Sequence, residues 1–457
     1  MDSESTLSGK PGAVRSAIAL AAGFARRKSV LVFGNNILMA AIRLVSSVIL
    51  TRLLDVKSFG IMGFLTTINI IFVQMTDLGF FSYVVRQANE TEEMLDEIWT
   101  LRLLRSVVIT GVIIALSPIL AAYVQQPDLV PAIMVSSLVV IIDGCSSMSF
   151  ATAAKRGQIA RISLLDLIPA ISQVALAILL ALYLRSYWAL VWAMVLSGVV
   201  RAVISYVMFE KTRRNWRWSA PRAKDVWRYG RYVAGSTLLF LLITQADKVA
   251  FSRYMGLQLF ATYVLAYNIA NVMQLFTGSY GDRIVYPEFC RAYNEDPAML
   301  AQVYYRCGWT IRMGYMFLCG GFVACAPLII HTLYDARYHG ADVFLGLLAM
   351  TAVFRLSIII ASQAILSTHD ARRLLYLNIV RAVTFAIGLT VGFLTFGAIG
   401  MVYGLVAVEI VAQLYCWVVL AQMRILSVVK EAMFLFVALG GYGLGLAVNA
   451  VGMRLIG

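Results

Sequence analysis

Charge is scarce in this chain: Asp, Glu, Lys and Arg together make up 14% of 457 residues, while apolar types make up 61%. So few charged groups cannot solvate the surface of a soluble protein of this length. The chain has three histidines and six cysteines. Cys145, Cys290, Cys307, Cys319, Cys325 and Cys416 show neither metal-ligand spacing nor a disulfide framework. No G-x-x-x-x-G-K-S/T loop is present, which excludes ATP as an energy source within the chain. H-E-x-x-H and G-x-S-x-G are missing too, and no metal site is expected. Long polar loops are also lacking: QQPDLV at 125–130 and FGAIG at 396–400 are typical connectors. A membrane polymerase or ligase needs a larger loop or domain to hold its chemistry, so the sequence reads as that of a non-enzyme.

What the chain does contain is thirteen apolar runs of about 20 residues or more, at 29–52, 59–82, 103–124, 131–152, 163–184, 187–208, 230–254, 259–281, 307–333, 341–366, 371–395, 398–420 and 431–453. A helix of about 20 residues crosses the roughly 30 Å hydrocarbon core of a bilayer. The fold class expected is an all-α polytopic membrane protein. Most Lys and Arg fall on one set of connectors, and only Arg52, Lys57, Arg185, Arg253, Arg337 and Arg454 fall on the other. The positive-inside rule then places the N-terminus in the cytoplasm. The net charge of +14 is accounted for by this topology, with no nucleic acid required. Residues 13–28 resemble a signal peptide in part, but Arg26, Arg27 and Lys28 follow directly, which reads as an interfacial lead-in.

Residues 209–229 form the longest polar connector and divide the first twelve helices six and six. Its Arg, Lys and Trp content suits a cytoplasmic linker lying on an anionic leaflet. Block SVILTRLLDVKSFGIM (47–62) aligns with VAFSRYMGLQLFATY (249–263), placing Arg52 on Arg253 and Phe59 on Phe260. The expected organisation is an N-terminal segment 1–28, an N-lobe 29–208, the linker 209–229, a C-lobe 230–420 and a C-terminal extra helix within 421–457. The two six-helix lobes, related by a pseudo-repeat, would enclose a central cavity.

Ionisable groups inside the membrane cost at least ~2.5–3.5 kcal/mol each and mark pathways or partners. One face of the first helix carries Asn36, Arg43, Ser47 and Thr51, and the sixth carries Ser197, Arg201 and Ser205. The seventh carries Ser236, Thr244, Asp247 and Lys248, and the eighth Tyr267, Asn271 and Gln274. The tenth carries Arg355, the eleventh Asn378 and Arg381, and the twelfth Glu409 and Gln413. Asp77, Asp143 and Asp166 sit nearer the cytoplasmic ends. The cavity is expected to be cationic, with Arg43, Arg201, Lys248, Arg355 and Arg381 facing an anionic cargo and Asn36 and Asn271 beside them. The rival reading pairs each arginine with an acid as a structural tie. His331, His339 and His369 all lie at or near helix ends, and no proton relay is expected of them. The acid run NETEEMLDEIW (89–99) reads as a solvated cytoplasmic helix started by Asn89 or Thr91.

LTRLLDVKSFGIM followed by TDLGF resembles the opening of bacterial polysaccharide flippases of the multidrug/oligosaccharidyl-lipid/polysaccharide exporter superfamily. ADKVAFSRYMG, YVLAYNIANV and RIVYPEFCRAYNEDPAMLAQVYYR resemble the family's seventh and eighth helices and the segment after them. YWALV and FGAIGMVYGLV add weaker matches, and the likeness runs over roughly residues 30–425. The resemblance implies an inner-membrane flippase that moves an undecaprenyl-diphosphate-linked oligosaccharide to the outer leaflet by alternating access, for exopolysaccharide or O-antigen assembly. It implies no cofactor, a proton or sodium gradient as driving force, and membrane lipids and polysaccharide-assembly enzymes as partners. On this reading Asp247, Glu409 and Asp77 are ion-coupling candidates, with Lys248 tuning Asp247, and Pro287, Glu288 and Phe289 shape a cytoplasmic gate. Thirteen helices depart from the family's usual twelve or fourteen. A drug exporter of the same superfamily is the main rival, although its cationic cargo calls for an acidic cavity.

Overall fold

The computed structural model describes residues 34–35, 37–86, 91–156, 158–209, 214–368 and 370–456. Among them the regular structure is entirely helical. In chain order the elements are α1 (37–53), α2 (Val56–Met75), α3 (Phe80–Arg86), α4 (Glu92–Tyr123), α5 (Val130–Cys145) and α6 (Ser149–Lys155). Then come α7 (Ile159–Leu184), α8 (Trp188–Val207), α9 (Ala220–Thr244), α10 (Ala246–Tyr254), α11 (Gly256–Tyr280) and α12 (Tyr286–Glu295). The chain ends with α13 (Met299–Arg306), α14 (Trp309–Ala324), α15 (Ala326–Leu333), α16 (Ala341–Ser367), α17 (Ala371–Gln422) and α18 (Val428–Ile456).

Eight of the described helices are long and apolar enough to cross a bilayer, and α14 with α15, bent by 60°, makes a ninth. One of the eight, α17, is itself two passes. Gly397 takes φ 62°, ψ −139° in its middle, and the backbones of Gly392 and Gly400 then lie against each other, so close that a Cβ on either would strike the other's carbonyl. The chain thus folds back, as the separate runs 371–395 and 398–420 lead one to expect. α11 is as long as a span but less apolar, since Gln258, Asn271 and Gln274 interrupt it.

Other apolar runs are broken where the sequence reads as continuous. The run 59–82 stops at Met75 and restarts at Phe80 across Gly79, whose φ is 67°. The run 131–152 ends at Cys145 and resumes as α6. The run 230–254 breaks at Gln245 (φ −124°, ψ −12°). The run 307–333 bends at Cys325, just before Pro327 opens α15. Beyond α11 a π-helical turn, Gly281–Val285, leads into α12. In the other direction α4 is longer than expected. From Glu92 on, the acid run is helical and continuous with the span, capped by Thr91, whose side chain accepts from the Met94 N–H.

In the first half α4 packs on α5, and α8 packs on both α5 and α7. In the second half α16 is central, packed on α11, α14 and α17, while α18 covers α14. The halves meet where α2 lies along α11. Gly60 is in van der Waals contact with the Leu257 backbone, and an added Cβ would sit 2.0 Å from that carbonyl oxygen. Phe64 and Ile68 from one side and Phe260, Tyr263 and Phe344 from the other share one apolar core there. A second core is confined to the C-terminal half and includes Phe289, Tyr304, Met316, Leu356 and Phe434. α9 packs against α2, α3 and α4 as well as α10, so the first helix after the linker leans on the N-terminal half.

Candidate functional site

The fold-back at Gly397 brings the two limbs of α17 together and places Arg381 opposite Glu409. Arg381 donates from Nη2 to Glu409 Oε1 at 2.5 Å, and Arg355 of α16 donates from Nη1 to the same oxygen at 2.9 Å. Glu409 is only 7% exposed. Its Oε2, the Nε of Arg381 and the Oε1 of Gln413, one turn further along α17, are buried without a hydrogen-bond partner. Two guanidinium groups therefore share a single carboxylate oxygen. The cluster carries one net positive charge, with further donors and acceptors unused.

A second polar focus lies at the α9–α10 break. Asp247 sits in the first turn of α10, buried, and its Oδ2 accepts a 2.5 Å hydrogen bond from the Tyr263 hydroxyl. Asp247 Oδ1 is buried without a partner. Lys248 points elsewhere, because consecutive helical residues diverge by about 100°. Its Nζ donates to Gln245 Oε1 at 3.1 Å and to the Thr244 carbonyl at 3.4 Å, and lies 4.0 Å from the centre of the Tyr267 ring. All of these contacts are neutral, so direct tuning of Asp247 by an ion pair is not what the geometry provides.

The cations of the N-terminal half are arranged differently. Arg201 pairs with Asp166 at 3.3 Å, Arg102 with Asp143 at 2.7 Å and Arg105 with Asp77 at 3.4 Å. Asp77 also accepts from the Gly79 N–H at the α2–α3 break. It is therefore engaged in holding a turn and a neighbouring arginine. Arg43 on α1 is exposed and has no ion-pair partner among the described residues. Asn36 lies outside the described residues. Asn271 is half-buried on α11. In the segment expected to shape a gate, Phe289 is buried and stacks on Tyr304 at 5.9 Å within the C-terminal core. Glu288 pairs with Arg291 at 3.3 Å and Pro287 is exposed. The structure thus joins Arg355, Arg381 and Glu409, and draws Arg201 and Asp77 into separate pairs.

Two charge clusters escape sequence reasoning. Arg312 is fully buried, with Nη2 3.1 Å from Glu431 and 3.2 Å from the Ser357 hydroxyl, and its guanidinium lies 3.9 Å from the Phe434 ring centre. Trp417 donates from Nε1 to the same Glu431 at 3.2 Å. This network ties α18 to α14, α16 and α17, and no local pattern links residues so far apart. The second cluster corrects the reading of the acid run as a freely solvated face. Arg214 lies 3.1 Å from Glu92 and 3.4 Å from Asp96, Arg217 lies 2.9 Å from Glu93, and Arg222 lies 3.0 Å from Glu97. The linker turns these arginines onto α4, while Trp216, Trp218 and Trp227 remain exposed.

The architecture and the apolar helices define a polytopic helical membrane protein. The family profile described as "Polysaccharide biosynthesis protein" matches residues 49–343, and the chain belongs to that family. A curated relative, the teichuronic acid biosynthesis protein TuaB of Bacillus subtilis (strain 168), is 18% identical over 62% of this chain. That match spans 59% of the relative's own length. Among solved structures, the lipid II flippase MurJ in an inward closed conformation superposes with a TM-score of 0.69 at 11% identity, covering 94% of this chain and 96% of that one. An inward-facing multidrug resistance MATE family transporter of the MOP superfamily gives 0.62 at 15% identity, covering 91% and 96%. The fold is therefore shared with these two solved proteins.

Proposed function

We propose that this protein translocates an undecaprenyl-diphosphate-linked oligosaccharide from the inner to the outer leaflet of a bacterial cytoplasmic membrane, for exopolysaccharide or O-antigen assembly. The observation that carries the reading is the excess of positive charge: Arg355 and Arg381 share one carboxylate oxygen, and Arg43 and Lys248 have no carboxylate partner among the described residues. Guanidinium forks suit diphosphate and acidic-sugar oxygens. The family profile and the MurJ-like fold support the same choice. On this reading the lobes 29–208 and 230–420 alternate about the linker 209–229, and the N-terminus is cytoplasmic. Asp247 and Glu409, each with an unpartnered buried oxygen, are the groups we assign to proton or sodium coupling. Polysaccharide-assembly enzymes would receive the product at the outer surface.

Replacing Arg43 and Arg355 together by Gln should abolish polymer export while the protein still inserts and accumulates in the membrane. Normal export by that double variant would overturn the cavity argument. The MATE-like fold supports a second reading, a drug exporter. Resistance to cationic dyes on overexpression, with polymer export unaffected by deletion, would favour it.

A further inference from the structure

At the end of the bundle that the Lys and Arg distribution assigns to the outside, the turn between α15 and α16 grips the N-terminal half. The Tyr334 hydroxyl lies 2.7 Å from the Ser47 hydroxyl of α1, and Arg337 donates from Nη2 to the Thr51 carbonyl at 3.2 Å. Tyr338 is buried and meets Phe59 of α2 edge-on at 5.9 Å. One short turn therefore makes two polar contacts and one aromatic contact across the two halves.

Two imidazoles flank that turn. His331, in the last turn of α15, stacks on His339 with ring centres 3.8 Å apart and planes 24° from parallel. Asp342, in the first turn of α16, lies 3.6 Å from His331 Nε2. Histidine gains its charge between about pH 8 and about pH 5. Asp342 and the carbonyl end of α15 lie where they can offset a single positive charge. A second proton puts two cations face to face with one carboxylate between them, and like charges that close repel strongly.

We propose that the His331–His339 pair makes this outer latch acid-sensitive. Protonation of both rings drives them apart, and because they bracket residues 334–338 the turn withdraws Tyr334 and Arg337 from α1. Acid on the outer side thereby favours opening of the outer end. The neighbouring ionisable groups are Tyr334, Asp335, Arg337 and Tyr338 of the turn, Asp342 of α16 and Asp55 before α2, and α18, which packs on α15, carries Arg454 in its last turn. Among the described residues, only Asp342 comes within ion-pair distance of either imidazole. Arg337, 2.9 Å away, holds the Asp335 carboxyl below the usual carboxylate range. That pair stays charged throughout the histidine window and is not the source of a response there. The inference depends on the two halves separating at this end, and not on the identity of the cargo.

The test is hydrogen–deuterium exchange of the full chain in lipid nanodiscs, corrected for the intrinsic effect of pH. Between about pH 8 and about pH 5, amides in 47–53 and 334–340 should lose about tenfold of their protection, the effect of one proton over one pH unit. His339→Gln should keep its protection at acid pH, and His331→Gln serves the same purpose if the first variant fails to fold. Arg337→Gln should be unprotected at both ends of the range, which calibrates the readout. A wild-type protein whose protection does not change with pH overturns the proposal, as does a double His→Gln variant that retains the full response. Neither result bears on whether a lipid-linked sugar is the cargo.

Discussion

The N-terminal half pairs three of its intramembrane arginines one to one, whereas the C-terminal half holds a cluster in which two arginines share one carboxylate. In the N-terminal half each of Arg102, Arg105 and Arg201 has its own carboxylate, and these pairs are electrically neutral. In the C-terminal half Arg355 and Arg381 divide one oxygen of Glu409, and Lys248 is held by an amide, a carbonyl and an aromatic face. Neutral pairs hold helices together and attract no anion. A cluster with uncompensated charge does attract one, and it retains that charge only because the surrounding packing leaves the guanidinium groups no alternative partner. The comparison assigns structural cohesion to Arg102, Arg105 and Arg201, as to the Arg312–Glu431 pair, and binding capacity to Arg355, Arg381 and Lys248. It also separates Arg201 from the other cations expected at the site.

The sharpest way to break this contrast is to remove the shared carboxylate. Glu409→Gln leaves two partly buried guanidinium groups without an acid and should cost about 3 kcal/mol, read as a fall in the Tm of the detergent-solubilised protein. Asp166→Asn should cost no more than about 1 kcal/mol, because Arg201 and Asp166 are 44% and 42% exposed. Equal losses for the two variants would erase the distinction. Next in size is transport. Arg355→Gln with Arg381→Gln removes two charge-assisted contacts and should lower polymer export about a hundredfold. Exchanging Arg102 and Asp143 for Gln and Asn should leave export within a few-fold of wild type. Lys248→Gln should reduce export about tenfold, and Lys248→Arg, which keeps a cation over Tyr267, should restore most of it. The smallest effect belongs to the linker. Arg217 and Glu93 are both half-exposed or more, so Arg217→Gln should change stability by less than about 1 kcal/mol. The difference should vanish in high salt, as melting curves at two ionic strengths would show.

The helical, membrane-spanning character of the chain was legible from its apolar runs alone, because lipid leaves the backbone no other way to satisfy its hydrogen bonds. The start of α4 was legible to within two residues as well, at Asn89 or Thr91, and the structure makes Thr91 the cap. The breaks were not. Gln245 interrupts its apolar run with no glycine or proline beside it, and Pro327, which opens α15 after the bend at Cys325, lies in a run that otherwise reads as continuous. Nor could spacing reveal that Arg214, Arg217 and Arg222 of the linker would meet Glu92, Glu93, Asp96 and Glu97. Each segment by itself reads as a solvated charged face, and only the return of the chain across more than a hundred residues makes them partners. Arg312 and Glu431 escaped notice for the same reason.

From residue order alone came the solvent this chain folds in, the number and rough position of its apolar runs, and the surplus of cations among them. Those properties are local, set by transfer free energies that each segment carries wherever it lies. Which cations keep their charge unshared was settled only in three dimensions. The turn at Gly397 sets Arg381 beside Glu409 while α16 delivers Arg355 to the same oxygen, whereas α7 and α8 bring Asp166 to Arg201. Pairing depends on distances of a few ångströms between helices far apart in sequence, and electrostatic energy at such distances is decided by packing.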